Sequence, residues 1–187
     1  MDSSFPRFGE VRTLTNRRRL LYGAVAVAAA AAGAGLAWWR HTPGEASSDA
    51  TTTLWNSSFD TPQGAQLAMQ AFRGKPLLLN FWATWCPPCI EELPMIDAFY
   101  RQNASKSWQV LGLAIDQPSA VRTFLARTPV SFPIGLAGLE GTELGKSLGN
   151  ASGGLPFTVV LSADGRLLHR KMGRLTDADL AAWSQPA

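Results

Sequence analysis

Cysteine is nearly absent from this chain of 187 residues: it has two, Cys86 and Cys89. A framework of structural disulfides is therefore excluded, and the pair is left available for chemistry. A four-ligand zinc site is excluded with it. Histidine is equally scarce, with His41 and His169 far from the cysteines in sequence. The four methionines (Met1, Met69, Met95 and Met172) are scattered, so no metal ligand set gathers, and no cofactor is implied. Most of the chain also lacks any surplus of charge. Residues 40–187 carry twelve basic and twelve acidic groups. The formal charge of +3 therefore belongs to residues 1–39, where five arginines face Asp2 and Glu10. With no net positive field on the globular part, nucleic acid is not expected as a partner. No internal repeat is visible.

What is present is concentrated in one stretch, Phe81-Trp82-Ala83-Thr84-Trp85-Cys86-Pro87-Pro88-Cys89-Ile90-Glu91-Glu92-Leu93. Upstream, Pro76 to Phe81 reads as a buried strand. Downstream, Ile90, Leu93, Ile96 and Tyr100 recur at helical spacing. The cysteines then fall where a strand ends and a helix begins. Cys86 lies at the helix N-terminus, where unpaired backbone N–H groups and the helix dipole favour an anion. Such a site lowers a thiol pKa and makes a nucleophilic thiolate. Cys86 is expected to be the more exposed sulfur, to attack a substrate disulfide and to form a mixed disulfide. Cys89, one turn on, would resolve it. Pro87 and Pro88 have no backbone N–H, and no lysine or histidine stands between the cysteines. The thiolate thus lacks two of its usual stabilisers, which favours a moderate or reducing potential over a strongly oxidising one.

FWATWCPPC followed by EELP resembles the active site of thioredoxin-like proteins. It is most similar to the membrane-anchored TlpA/ResA group of thiol–disulfide oxidoreductases of the bacterial envelope. The resemblance runs from about Phe59 to the C-terminus and implies a thioredoxin fold. It implies a catalytic role for Glu92, which matches a buried glutamate that acts on the active-site thiols. Glu92 lies three residues after Cys89, on the same helix face. It would take or give the proton of the Cys89 thiol. Asn80 stands where thioredoxin itself has a buried aspartate, so the proton-accepting role passes to Glu92. Leu155-Pro156 resembles the cis-proline loop that faces the cysteines in this fold. Leu155 would offer its backbone to a substrate strand, and Trp85 an apolar contact beside Cys86. Trp82 is expected in the core, Asp116 at a helix cap, and His169 on a strand surface.

Taken in order, residues 1–19 read as a basic cytoplasmic tail. Residues 20–39 hold twenty positions without a charge, long enough to cross a bilayer. Arg17, Arg18 and Arg19 would keep the N-terminal side inside. An uncleaved inner-membrane anchor, a cleaved signal peptide with Gly35-Leu36-Ala37 at the cleavage site, and a soluble alanine-rich helix all fit the segment. Asn16 to Leu21 also resembles a twin-arginine export signal. Residues 40–53 read as a flexible tether, and residues 54–187 as a thioredoxin-like domain. Within it, strands are expected over Leu54–Phe59, Leu77–Trp82, Trp108–Ile115, Phe157–Leu161 and Arg166–Met172. Gln66–Phe72 is ambiguous by itself, and the resemblance implies a short strand there; Val130–Leu136 is expected to hold an irregular one. Helices are expected from the cysteines to about Gln102, kinked at Pro94, then around Val121–Leu125, over Thr142–Leu148 and over Thr176–Trp183. Strands alternating with helices indicate an α/β domain with a mixed sheet.

The function expected is a thiol–disulfide oxidoreductase with its domain in the periplasm, tethered to the inner membrane. It would reduce disulfides of exported proteins. The resemblance suggests cytochrome c maturation or metalloprotein assembly, with a membrane thiol transporter as electron donor. A disulfide oxidase or isomerase would use the same cysteines. A peroxidase would need an activated cysteine in a different surrounding. A non-enzymatic metal-delivery module would need ligands that do not gather here.

Overall fold

The computed structural model describes residues 48–184 except residue 107. The basic tail, the apolar segment 20–39 and most of the proposed tether lie outside the described residues. No helix among the described residues is long and apolar enough to cross a membrane.

The fold is built on β3 (Leu77–Trp82), every residue of which is buried. A strand covered on both faces reads as an unbroken apolar run, and LLLNFW does so with one exception, Asn80. Alternation sends Leu77, Leu79 and Phe81 into one apolar cluster and Leu78 and Trp82 into the other. β3 pairs in parallel with β4 (Gln109–Ala114), which pairs in parallel with β5 (Ile134–Leu136). On its other side β3 pairs antiparallel with β6 (Phe157–Leu161), which pairs antiparallel with β7 (Leu167–Met172). Two short strands, β1 (Ser58–Asp60) and β2 (Gln66–Ala68), complete the order β2-β1-β5-β4-β3-β6-β7. Gly112 of β4 has no room for a side chain. A Cβ there would meet Ile134 Cδ1 at 2.7 Å, and Phe132 and the Trp82 ring nitrogen at 3.1 Å.

The helices cover both faces. The longest, α2 (Pro87–Asn103), buries Cys89, Glu92, Leu93 and Ile96 and runs on through Pro94. With it on one side are Val121 of α3 (Pro118–Arg127) and Leu180 of α5 (Asp177–Trp183). On the other face lie α1 (Ser48–Trp55) and α4 (Glu140–Ser147).

Two expectations need correction. Leu54 and Trp55 do not begin a strand, and Ser48–Thr53 are not tether: both belong to α1. Ala50, Leu54 and Trp55 share a helical face and are buried, and the Trp55 ring N–H donates to the carbonyl of Gly165 at 2.9 Å. Threonine-rich polar composition concealed a helix that tertiary burial supports. The short strand within Gln66–Phe72 is Gln66–Ala68, and a 3-10 turn follows, Met69–Phe72, whose Met69 and Phe72 are buried. Thr176 caps α5 as expected, in a full capping box with Asp179.

Candidate active site

Cys86 is the N-cap residue of α2, at φ −104° and ψ 99°, with Pro87 and Pro88 in the first two helical positions. The first turn closes through Cys89 N–H, which donates to the Cys86 carbonyl at 3.0 Å, and Ile90 N–H, which donates to it at 3.2 Å. The prolines contribute no N–H, so the two N–H groups a helix would normally leave open here do not exist. Cys86 and Cys89 form a disulfide with an S–S distance of 2.08 Å and a Cα–Cα distance of 5.3 Å. Cys86 is 4% exposed and Cys89 is fully covered.

The loop before Cys86 is tied from the end of β4. The Asp116 carboxylate accepts Thr84 N–H at 2.9 Å and the Thr84 hydroxyl at 2.5 Å. It also accepts Gln117 N–H at 2.6 Å, at the start of α3. Asp116 was expected to cap a helix, but Gln117 is the N-cap residue of α3 and no side chain caps it; the Asp116 carboxylate instead fixes the turn carrying Trp85. That ring is 65% exposed, while Trp82 is buried against Phe124. His169 is exposed as expected and stacks on Trp183 with ring centroids 5.6 Å apart.

Further along α2, Glu92 is fully buried, whereas Glu91 is exposed and pairs with Arg174 at 2.6 Å. Glu92 Oε1 accepts from Asn80 Nδ2 at 2.8 Å, and Oε2 accepts from Leu175 N–H at 2.8 Å. Asn80 Nδ2 donates also to Thr158 Oγ1, at 3.0 Å. Thr158 faces Asn80 across the β3–β6 ladder, which is why the two side chains meet. Burial pushes the Glu92 carboxyl above the usual glutamate range. The Leu175 and Asn80 hydrogen bonds and the charges of Arg174 and Lys171 oppose that rise without cancelling it.

Leu155-Pro156 is a cis peptide bond, as the motif register predicts. Leu155 and Trp85 line one cleft of about 470 Å³, with Ile115, Asp116, Leu139 and Thr142. Leu139 is 87% exposed. A second cleft, of about 580 Å³, is lined by Phe59, Asp60 and Glu140 and holds neither cysteine nor Glu92. Cys86, Cys89, Glu92, Trp85, Leu155 and Pro156 were singled out in the sequence; the disulfide joins the two cysteines, Glu92 lies on the same helix, and Trp85 and Leu155 share a cleft that neither cysteine lines. Thr158, Leu175 and Leu139 were not singled out. Thr158 sits in an apolar strand, and that setting was the one available signal for it. Leu175 acts through its backbone, which leaves no mark in sequence.

The family model described as Redoxin matches residues 47–182. The chain belongs to the Redoxin family. This Redoxin-family chain is 29% identical over 125 residues to a thiol-disulfide oxidoreductase ResA of Bacillus cereus. That match covers 66% of this chain and 69% of the relative. Among solved structures it is similar to the thioredoxin-related protein of Neisseria meningitidis serogroup B, at 30% identity and a TM-score of 0.60. That likeness covers 67% of this chain and 94% of the other. StoA of Bacillus subtilis is 27% identical with a TM-score of 0.57, over 69% of this chain and 96% of StoA. The Redoxin-family chain is thus a thioredoxin-like thiol–disulfide oxidoreductase of the ResA type.

Proposed function

We propose that this protein reduces disulfides of exported client proteins in the periplasm, held at the inner membrane through residues 20–39. The Cys86 thiolate attacks one sulfur of a client disulfide. A mixed disulfide forms and the first client thiolate leaves. Cys89 then loses its proton to the Glu92 carboxylate and attacks the Cys86 sulfur, which releases the second client thiol. The client gains two electrons and the Cys86–Cys89 disulfide forms. A membrane thiol transporter returns the electrons, and cytochrome c maturation or metalloprotein assembly supplies the clients; both follow from the resemblance. A tether supports this reading, because it raises the effective concentration of the domain beside a membrane-bound donor. Trp85 and Leu155 take the client in the cleft they share, next to Pro156.

The observation that carries the reading is the buried Glu92, aimed from the cysteine helix at a neutral amide and a backbone N–H. It supplies a proton acceptor within the fold where Asn80 cannot. The absence of two N–H groups at the helix start supports the reducing direction. The test is the reduction potential of the Cys86–Cys89 pair in the full chain, by equilibration with glutathione or dithiothreitol. A value near about −270 mV, in the range of thioredoxin, is expected. A value near about −120 mV would make the protein a strong oxidant and overturn the reductase assignment in favour of a disulfide oxidase.

A further inference from the structure

Every hydrogen-bond partner of Glu92 among the described residues is a donor: Asn80 Nδ2 on Oε1 and Leu175 N–H on Oε2. That arrangement suits a carboxylate. It offers no acceptor for the proton of a carboxylic acid. A group that takes a proton from Cys89 needs a partner for both of its forms. Leu175 cannot change, since a backbone N–H only donates. A carboxamide can, because it carries a double donor at one end and an acceptor at the other.

Asn80 has the acceptor in reserve. Its Oδ1 is buried and has no hydrogen-bond partner, while its Nδ2 serves both Glu92 and Thr158. Turning the amide over exchanges the two ends. Oδ1 then stands 2.8 Å from Glu92 Oε1 and 3.0 Å from Thr158 Oγ1, the separations that Nδ2 now has. Both are hydrogen-bonding distances for an accepting oxygen. The carboxylic acid would donate to it, and so would the Thr158 hydroxyl, which can either give or accept. We propose that Asn80 is a positioning residue for Glu92. Its amide turns over with the protonation of that carboxyl, and the Thr158 hydroxyl reverses in step.

The site thus keeps hydrogen bonds to Glu92 in both protonation states, which leaves the carboxyl free to exchange a proton with Cys89. Aspartate at position 80 would bring a second negative charge, and leucine would provide neither donor nor acceptor. The charges that face Glu92 are those of Lys171 on β7 and Arg174 in the loop after it. Both are engaged, Lys171 by Asp179 of α5 and Arg174 by Glu91 of α2. The disulfide cysteines do not titrate in the oxidised protein. A pH-dependent change at Asn80 therefore reports on Glu92.

The inference rests on Glu92 being the group that serves Cys89. The test uses the oxidised full chain with isotopically labelled asparagine, glutamate and threonine. The Glu92 carboxyl carbon is titrated by nuclear magnetic resonance while the contacts of the Asn80 side-chain amide hydrogens are followed. Above the Glu92 midpoint those hydrogens are expected close to Thr158. Below it the contact is lost and the amide signals move towards those of an unbonded amide. Amide hydrogens that keep the same neighbours on both sides of the midpoint overturn the proposal, as does a Glu92 that holds one protonation state throughout the folded range. In the reduced protein, Asn80→Leu and Thr158→Val are expected to slow release of the mixed disulfide about tenfold, a fraction of what a general acid–base group contributes. Attack by Cys86 should stay within about twofold, and Thr158→Ser should restore release. Glu92→Gln separates the two readings. If it leaves release unchanged while the Asn80 contacts in the wild-type chain still switch with pH, the catalytic assignment of Glu92 fails and the turnover of Asn80 stands.

Discussion

Glu92 Oε2 accepts the backbone N–H of Leu175 at 2.8 Å, across 83 positions of the chain. The last loop of the domain therefore closes over the carboxyl carried by the cysteine helix. Leu175 is itself buried in the cluster that α2 shares with α5. What holds α5 in place thereby also places a hydrogen-bond donor at the site.

Thr176 helps to fasten that loop. Its hydroxyl accepts Asp179 N–H at 3.3 Å, and the Asp179 carboxylate accepts Thr176 N–H at 2.8 Å. Losing an N-cap of this kind costs about 1 kcal/mol. Thr176→Ala is therefore expected to lower stability by that amount in a denaturant titration. As the Leu175 donor loosens, the Glu92 midpoint should also move up, which a titration of labelled glutamate would read. Unchanged stability together with an unchanged midpoint would show that α5 does not hold the Leu175 donor.

Burial of Glu92 makes stability depend on pH in a definite direction. Its folded value is raised above the ordinary 4.5, so the folded state holds the proton more tightly than the unfolded one. That contribution is fully present below 4.5 and is lost as pH rises through the folded value. Glu92→Gln removes the titration. Its melting temperature, compared with wild type from about pH 5 to about pH 8, where stability tends to be maximal, should gain on wild type as pH rises. A constant difference between the two curves would contradict the raised value. Asp179 runs the other way. Held down at about 2 by the Lys171 and Thr176 hydrogen bonds, it contributes stability above 3.8 that is lost as pH falls towards 2.

Much of this is legible in the sequence. The two cysteines, the prolines and the helix face that Glu92 shares with them are read from spacing, because helix geometry ties position in sequence to position in space over one or two turns, whereas the role of Glu92 came from the resemblance. The all-buried β3 is read from an apolar run for the same local reason. Helix α1 was not, since its stability comes from burying Trp55 against a turn 110 residues away. Asn80 was recognised as a departure from thioredoxin, but its partners were not. Thr158 reaches it through the pairing of β3 with β6, and that register is set by the whole sheet.

The tie between Asp116 and Thr84 fixes the turn that carries Trp85. Thr84→Val removes the hydroxyl from a charge-assisted bond and leaves the backbone N–H bond in place. Hydrogen bonds to charged groups contribute about 1.5–3 kcal/mol, and partial exposure puts this one at the low end. A loss of about 1.5 kcal/mol is expected. Trp85 should gain freedom, read as a fall in its fluorescence anisotropy in a variant with the other tryptophans replaced. A protein that loses stability while Trp85 stays fixed would show that other contacts hold the turn.

Leu139 offers the sharpest test of how a client is chosen. It and Trp85 are the two most exposed of the large apolar residues among those described, and they line the same cleft. Exposed apolar groups gathered at one cleft mark a contact surface. Covering a leucine side chain is worth about 1.5–3 kcal/mol, so Leu139→Asp should raise KM for a protein disulfide by about tenfold or more. The effect should vanish for a small disulfide that reaches Cys86 without filling the cleft. Leu139 is far from covered in the free protein and is the N-cap residue of α4, where aspartate is favoured, so the substitution should not lower the melting temperature. Equal effects on protein and small-molecule substrates would point to damage at the cysteines instead, and would remove Leu139 from the client surface.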